Sequence, residues 1–351
     1  MTASDPINVK MLADEGWLRQ FPGGDPVWGR CRFVFDPDAR DYDWLVVYED
    51  VYRAETLACA AAHTLLVTTE PSSIKTYGSA YLNQFGVVLT SQEPWALRHR
   101  DVVRGQPALK WFYGWPLRHP DAPRRSYEAM ASGPPVEKSR TISTLCSEKQ
   151  QTHTLHRTRY RFTHHLKAAL PELDIFGWGN LELVDKAEGI DAYRYHLAIE
   201  NHHAPHHWTE KLADPFLGLA LPFYAGCPNA ADYFPPESFI PLDLNDFDGA
   251  VETIRAAIAE DAYTKRLPAI REARRRVMEQ YNFFAVVAGL IEARHPVSDS
   301  GDAGRSAQRV LYPRRVARRR NPWRSIRYAG ENARVKIRGR VGRWAEAQRR
   351  G

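Results

Sequence analysis

Residues 193–229 read YRYHLAIENHHAPHHWTEKLADPFLGLALPFYAGCPN, and the order of their apolar and polar runs indicates the fold class. An apolar and aromatic run ends at Glu200, a polar loop follows, and Thr209 is placed to cap a helix over residues 209–218. A second apolar run occupies residues 220–224. Strand, helix and strand in this order predict a parallel βαβ unit.

Outward from this unit, apolar runs and helical patterns alternate along most of the chain. Strands are predicted at residues 31–36, 44–48, 65–68, 87–90, 141–146, 173–176, 195–199, 220–224 and 239–242. Helices are predicted at residues 55–63, 72–85, 152–170, 209–218, 247–260 and 263–281. Several of the strand runs lack polar alternation, which is typical of a parallel sheet that is covered on both faces.

A segment rich in proline and charge interrupts the alternation and predicts a connection between two domains. The expected division is an N-terminal Rossmann-like domain at 1–125, a linker at 126–140 and a second Rossmann-like domain at 141–296. Residues 297–351 are expected to form a basic tail. The predicted fold class is α/β, with the two domains facing each other across a cleft.

The positive charge of the chain is concentrated at its C-terminal end. The 351 residues have a net charge of +6, but residues 301–351 contain sixteen Lys and Arg against three acids. That segment therefore carries +13, and the first 300 residues carry −7. Such a tail is expected to associate with an anionic membrane or to bind nucleic acid non-specifically. The acidic remainder of the chain makes nucleic acid the less favoured partner.

Composition and absent motifs exclude several classes of protein. No apolar run approaches the ~18 residues of a membrane span, and the N-terminus lacks the pattern of a secretory signal. The four cysteines are scattered, which argues against a disulfide framework. A cytoplasmic protein is expected, peripheral at most on the inner face of the membrane. P-loop kinases, dinucleotide dehydrogenases, α/β-hydrolases and zincins lose support because their motifs are missing.

The first turn of the helix at 209–218 is a candidate anion site. Lys211 lies there, where a cation opposes the helix dipole unless it meets an anion, and where free N–H groups also bind anions. The position suits a diphosphate, although a surface lysine on an ordinary capped helix has the same pattern. In an open α/β sheet, a ligand binds outside the carboxyl ends of the strands, where the Asn201 loop and the Gly226 turn fall.

Arg159 is a second candidate for phosphate. It falls on the apolar stripe of the predicted helix at 152–170, together with Phe162 and Leu166, whereas Arg157 and Arg161 point elsewhere. A guanidinium on an inward face needs a carboxylate or a phosphate, and its fork fits phosphate well. A salt bridge between domains is the alternative.

Four histidines between Asn201 and Thr209 invite comparison with a metal site, since imidazole is a common zinc ligand. Pro205 interrupts their spacing, and no cysteine or carboxylate completes a recognisable set. A polar loop is preferred over a metal site.

Taken together, these motifs resemble the family 10 glycosyltransferases, the α-1,3/1,4-fucosyltransferases. The resemblance covers about sixty residues and includes the PPESFIPLDLNDFD stretch at 235–248. The shared motifs, in order, are Ile199–Glu200–Asn201, Thr209–Glu210–Lys211 and Gly226–Cys227–Pro228–Asn229.

The resemblance implies a GT-B fold and an inverting transfer of fucose from GDP-fucose to a saccharide hydroxyl, without an obligatory divalent metal. It implies that Lys211 and Arg159 neutralise the diphosphate and that Glu210 lies near the sugar ring. The remaining donor-side candidates are Glu200, Asn201, Thr209 and Gly226. Another nucleotide sugar stays open as the donor. On the acceptor side, His203 and His207 of the histidine loop are the candidate contacts.

The resemblance also implies a general base in the N-terminal domain. The family supplies a glutamate in a turn after a strand, and Glu70 follows the predicted strand at 65–68. Alternatively, Glu70 only places a negative charge near the N-terminus of the next predicted helix.

Overall fold

The computed structural model describes residues 5–13, 15–106, 110–116, 119, 121–134, 136–151, 154–296 and 309–349. The chain divides into two units by its contacts. The first unit comprises Met1–Trp17, Pro26–Ala108 and Val287–Gly351, and the second comprises Leu18–Asp25 and Leu109–Val286.

The strands and helices are numbered in chain order. The strands are β1 (Ile7–Leu12), β2 (Val27–Trp28), β3 (Cys31–Val34), β4 (Trp44–Tyr48), β5 (Glu55–Thr56), β6 (Thr64–Thr68), β7 (Val87–Thr90), β8 (Val102–Arg104), β9 (Arg140–Leu145), β10 (Leu173–Phe176), β11 (Tyr193–Ile199), β12 (Leu221–Ala225), β13 (Ile240–Pro241) and β14 (Val310–Leu311). The α-helices are α1 (Ser79–Leu82), α2 (Tyr127–Ser132), α3 (His156–Ala169), α4 (Glu210–Leu217), α5 (Phe247–Ala259), α6 (Ala262–Arg275), α7 (Phe283–Glu292), α8 (Arg314–Arg319) and α9 (Pro322–Arg349).

The main sheet of the first unit has the order β2-β3-β1-β4-β6-β7-β8 in the described part of the chain. Its neighbours are parallel except for β2 and β3. The four strands predicted in this half are confirmed as β3, β4, β6 and β7. Strand β1 was not predicted because Lys10 breaks its apolar run, yet Lys10 is fully buried with its Nζ 2.8 Å from Oε1 of Glu55.

One predicted helix of the first unit is wrong, and a second is much shorter than predicted. Residues 55–63 contain β5 and a 3-10 turn at Ala61–His63, and residues 72–85 contain only the short helix α1 among their described elements. Glu55 forms a buried ion pair with Lys10 of β1, and Thr56 pairs with Val310 of β14. Pairing with distant segments overrides the local helical pattern.

The C-terminal segment is not a separate tail in its described part, residues 309–349, which corrects the predicted domain boundaries. Strand β14 pairs antiparallel with β5, and Leu311 and Ala317 lie in the apolar core of the first unit. The boundary prediction also placed a linker at 126–140, where the structure has helix α2 of the second unit.

The sheet of the second unit is parallel throughout its described strands, in the order β10-β9-β11-β12-β13. The strands and helices predicted at 141–281 are found within a few residues of their expected bounds. Thr152 and His153, at the predicted start of α3, lie outside the described residues. Helix α6 continues into a π-helical turn at Arg276–Gln280. This unit is therefore Rossmann-like, as the alternation predicted.

No helix of the described ranges combines the length and the apolar character needed to cross a membrane.

Candidate active site

Three neighbouring strands of the second unit end at one edge of its sheet. Strand β9 ends at Leu145, β11 at Ile199 and β12 at Ala225, and the register aligns Ile199 with Ala225. Because the strands are parallel, the loops that follow them lie side by side. A ligand in an open α/β sheet binds at this edge, and the candidate residues of the second unit lie in or beside these loops.

Arg159 bridges two of the strand ends. Its Nη2 donates to the carbonyl oxygen of Leu145 at 2.8 Å, and its Nη1 donates to Oδ1 of Asn201 at 3.0 Å. Helix α3 exposes Arg157 and Arg161 and turns Arg159 toward the sheet edge, as the apolar stripe predicted. Two hydrogen bonds fix the guanidinium and leave other N–H donors of its fork for an anion.

Glu200 organises the start of helix α4. Its buried carboxylate accepts hydrogen bonds from the backbone N–H of Thr209 at 2.7 Å and from the Thr209 hydroxyl at 2.7 and 2.9 Å. The Thr209 hydroxyl in turn accepts from the backbone N–H of Lys211, which makes Thr209 the expected N-cap. A Cβ on Gly226 would lie 2.4 Å from Cγ of Glu200. Glycine at 226 therefore serves the close approach of Glu200.

A network of charges continues from Glu200 along α4. Nζ of Lys211 lies 3.0 Å from Oε1 of Glu210 and 3.7 Å from Oε2 of Glu200. Nζ of Lys186 lies 3.6 Å from the same oxygen of Glu210 and 3.5 Å from Oδ2 of Asp214. Lys211 and Glu210 each keep about a fifth of their side chains exposed, so the centre of the network is accessible.

Burial and mutual attraction set the protonation of these groups. Burial opposes the charge on Glu210, but Lys211 and Lys186 outweigh it and hold the pKa of this carboxyl below its usual range. Burial likewise opposes the charge on Lys211, and the carboxylates of Glu210 and Glu200 raise its pKa above the ordinary value. Burial raises the pKa of Asp214 to about 6. Glu210 is therefore ionised and Lys211 protonated at neutral pH.

The histidine loop is fixed by Asn229. Oδ1 of Asn229 accepts from the backbone N–H of His206 at 2.7 Å, and the His206 ring lies 2.6 Å from the hydroxyl of Tyr233. His207, the next residue, is 4% exposed, and its role on the acceptor side stays a prediction. His203 is exposed.

No group of three or more His, Cys, Asp or Glu side chains with the arrangement of a metal site is found among the residues that the structure describes.

Glu70 follows β6 at the carboxyl edge of the first unit's sheet. It is partly exposed, its backbone N–H donates to the Tyr77 hydroxyl at 3.3 Å, and its carbonyl accepts from the Gln92 side chain at 2.8 Å. The backbone of this turn is thus held in place. The role of its carboxylate as a base stays a prediction.

Glu49, after the adjacent strand β4, supports the same turn. It accepts from the backbone N–H of Thr69 at 2.8 Å, from the Tyr77 hydroxyl at 2.6 Å and from Lys75 at 2.5 Å. Burial opposes its charge, but Lys75 and these hydrogen bonds outweigh it and lower the pKa of Glu49. Its backbone has a φ of 73°, uncommon for a residue with a side chain.

Residues 135–260 match the family model described as "Glycosyltransferase family 10 (fucosyltransferase) C-term". This segment is similar to the C-terminal domain of the family 10 glycosyltransferases. The matched segment contains the donor-side candidates named above, from Arg159 to Gly226. The family expected from the motifs is therefore confirmed for this part of the chain.

Two relatives extend the comparison. The α-(1,3)-fucosyltransferase FucT of Helicobacter pylori is 33% identical over 72 residues, which span 20% of this chain and 15% of the H. pylori protein. A crystal structure of an α1,3-fucosyltransferase matches 84% of this chain and 90% of its own, with a TM-score of 0.51 and 17% identity. The second likeness shows the fold, which is that of the GT-B glycosyltransferases, as expected.

Four residues beside the candidate site residues were not predicted as such from the sequence: Lys186, Asp214 and Asn229 in the second unit, and Glu49 in the first. Lys186 lies in a short 3-10 turn, and its local sequence gives no indication of a functional role. Asp214 was detectable, because a carboxylate inside an apolar helix needs a partner. Asn229 closes the Gly226 motif, but its hydrogen bond to His206 joins residues 23 positions apart. Glu49 has the ordinary appearance of an acid after a strand.

Proposed function

We propose that this protein is an inverting glycosyltransferase that moves fucose from GDP-fucose to a hydroxyl group of a saccharide. The family 10 match over 135–260 supports the reaction class. The observation that carries the proposal is the convergence of Arg159 and Lys211 on the carboxyl edge of a parallel sheet, beside the capped start of α4. Cations and free N–H groups at such an edge suit a diphosphate.

Lys211 and Arg159 stabilise the departing GDP. When the bond between the sugar C1 and the diphosphate oxygen breaks, negative charge grows on the diphosphate, and fixed cations lower the barrier most where that charge develops. Lys211 is held by Glu210 and Glu200, and Arg159 by Leu145 and Asn201, so neither side chain has to be ordered when the donor binds. We propose that these cations act without an obligatory divalent metal.

Glu210 is the carboxylate that stabilises positive charge on the sugar ring. Positive charge grows on the ring as the leaving group departs, and an ionised carboxylate nearby stabilises it. The lowered pKa of Glu210 keeps it ionised at neutral pH. Nζ of Lys186 lies 3.6 Å from the Glu210 oxygen that Lys211 also contacts.

Glu70 is proposed as the base that takes the proton of the acceptor hydroxyl. The hydroxyl oxygen then forms the new bond to C1 on the face opposite to the departing GDP, which inverts the configuration. Support comes from the place of Glu70 directly after a parallel strand, on a turn held by Glu49 and Tyr77. His203, exposed in the loop before α4, is the acceptor-side candidate of the second unit.

The experiment is to measure GDP release from GDP-fucose with a panel of saccharides that end in galactose or N-acetylglucosamine. Each assay is repeated in EDTA, and product linkage is read by NMR. We expect acceptor-dependent GDP release that persists in EDTA and a product of inverted configuration. Release that needs added metal contradicts the metal-free account, and release from UDP-sugars alone contradicts the proposed donor.

A further inference from the structure

Helix α9 packs on the first unit through one face. Oε2 of Glu331 accepts a hydrogen bond from the backbone N–H of Ser79 at 3.0 Å, and Oδ1 of Asn332 accepts from the Thr76 hydroxyl at 3.1 Å. Val335, one turn further on, is 3% exposed. These contacts fix the rotation of the helix about its own axis.

The opposite face carries large apolar side chains that are open to solvent. We name them the outward stripe, and they are Trp323, Ile326, Ile337 and Val341, with exposed fractions from 58% to 77%. Their spacings of three, eleven and four residues place them within a sector of about 60° at ~100° per residue. The stripe is about 27 Å long at 1.5 Å per residue.

Arginines flank the outward stripe. Arg327 and Arg334 lie on one side of it by helical position and Arg340 on the other, and all three are exposed. Residues 309–349 contain fourteen Lys and Arg against two acids. One of these acids, Glu331, is turned toward the first unit by its bond to Ser79. The exposed face is therefore apolar along its middle and cationic at its margins.

We propose that the outward stripe docks on an anionic lipid bilayer, with α9 lying in the plane of the membrane interface. Aromatic and aliphatic side chains bordered by arginine are typical of helices at that boundary, where the apolar side enters the acyl region and the cations meet lipid phosphates. A nucleic acid backbone would use the arginines and leave the apolar stripe in water. A second copy of α9 would bring like charges together. The inference does not depend on the proposed reaction.

The test is co-sedimentation of the full chain with vesicles of phosphatidylglycerol and phosphatidylcholine, and with phosphatidylcholine vesicles. The variant is I326Q with I337Q, and the matched control is A329Q, which changes an exposed residue of the same helix away from the stripe. We expect wild type and A329Q to sediment with the anionic vesicles. The double variant should lose at least about tenfold in partitioning, because it removes two apolar side chains from the lipid.

Thermal unfolding is measured for each variant. The double variant should have the melting temperature of the wild type, because both substituted side chains are exposed. Equal sedimentation of the double variant and wild type overturns the proposal, since charge alone would then explain binding. Tighter binding to duplex DNA than to anionic vesicles, unaffected by I326Q with I337Q, also overturns it. Self-association that is abolished in the double variant, without vesicle binding by wild type, overturns it in favour of a second copy.

Discussion

The carboxylate of Glu200 accepts hydrogen bonds from both the backbone N–H and the hydroxyl of Thr209, at 2.7 and 2.9 Å. This relationship joins the end of strand β11 to the start of helix α4 and orients the first turn, where Glu210 and Lys211 lie. Burial is the largest influence on Glu200 and raises its pKa. A buried acid thus orients the first turn of the proposed diphosphate site.

Gly226→Ala should destabilise the fold, because the added Cβ would lie 2.4 Å from Cγ of Glu200. Overpacking of this kind costs about 1–3 kcal/mol. Gly289→Ala is the matched control: nothing lies within 4 Å of its added Cβ, and alanine favours helix α7. Thermal unfolding should show a lower melting temperature for the first variant and an equal or higher one for the second. Unchanged stability of Gly226→Ala would show that Glu200 can move away.

Substitutions of two acids of the first unit should have different effects, one on turnover and the other on stability. Glu70→Gln should leave stability and GDP binding near wild type and lower turnover by about 10²–10⁴-fold, the range for a lost general base. Glu49→Gln should instead destabilise the fold by about 2 kcal/mol, because it removes a carboxylate that holds Lys75, Thr69 and Tyr77. Turnover is measured with GDP-fucose and stability by urea unfolding. Near-normal turnover of Glu70→Gln would place the base elsewhere.

Arg159→Lys should weaken donor binding by about tenfold even though the charge is kept. A single ammonium cannot reach Leu145, Asn201 and a phosphate together as the guanidinium fork does. Arg157→Lys, on the exposed face of the same helix, is the control and should bind as wild type. Calorimetric titration of GDP decides between them, and equal affinities for both variants would assign Arg159 a structural role alone.

His196, buried in strand β11, should make the protein acid-sensitive. Burial, reinforced by Lys138, Lys186 and Arg159, lowers its pKa from an ordinary 6.5 to about 3. The unfolded chain therefore binds a proton that the folded chain does not, so stability is lost as the pH falls from about 6.5 toward 3. The free energy of unfolding should fall by about 1.4 kcal/mol per pH unit from this residue.

Urea unfolding at several pH values tests the role of His196. His196→Gln should show a shallower loss of stability in the same pH window, because glutamine does not titrate. Parallel curves for the variant and the wild type would mean that other groups dominate the acid response.

Local pattern was sufficient to predict the strands and α-helices of the second unit between residues 141 and 281. Its strands β9 to β12 follow the apolar and β-branched runs in the sequence, and Thr209 is the N-cap of α4 as predicted. Arg159 was found because helical spacing alone fixes which arginine of α3 faces inward. Where short-range signals determine the structure, the sequence analysis and the structure agree.

Prediction failed where a residue depends on a distant partner. Lys10 breaks the apolar pattern of β1, and its burial follows from Glu55, 45 positions away. The charged segment at 309–349 has the composition of a flexible tail, yet Leu311 and Ala317 enter a core built from the first strands. The position of His206 depends on Asn229, 23 positions away. Such pairings have no signature in either segment alone.

Calorimetric titration with GDP-fucose, GDP-mannose, GDP, UDP-galactose and UDP tests whether the start of α4 binds GDP-fucose, because donor binding needs no acceptor. Wild type and the exposed control Lys265→Ala should bind the guanosine ligands, with GDP-fucose tightest, and Lys211→Ala should lose about 10–100-fold in affinity. Binding of uridine ligands alone, or full GDP affinity in Lys211→Ala, would contradict a GDP-fucose site at the start of α4.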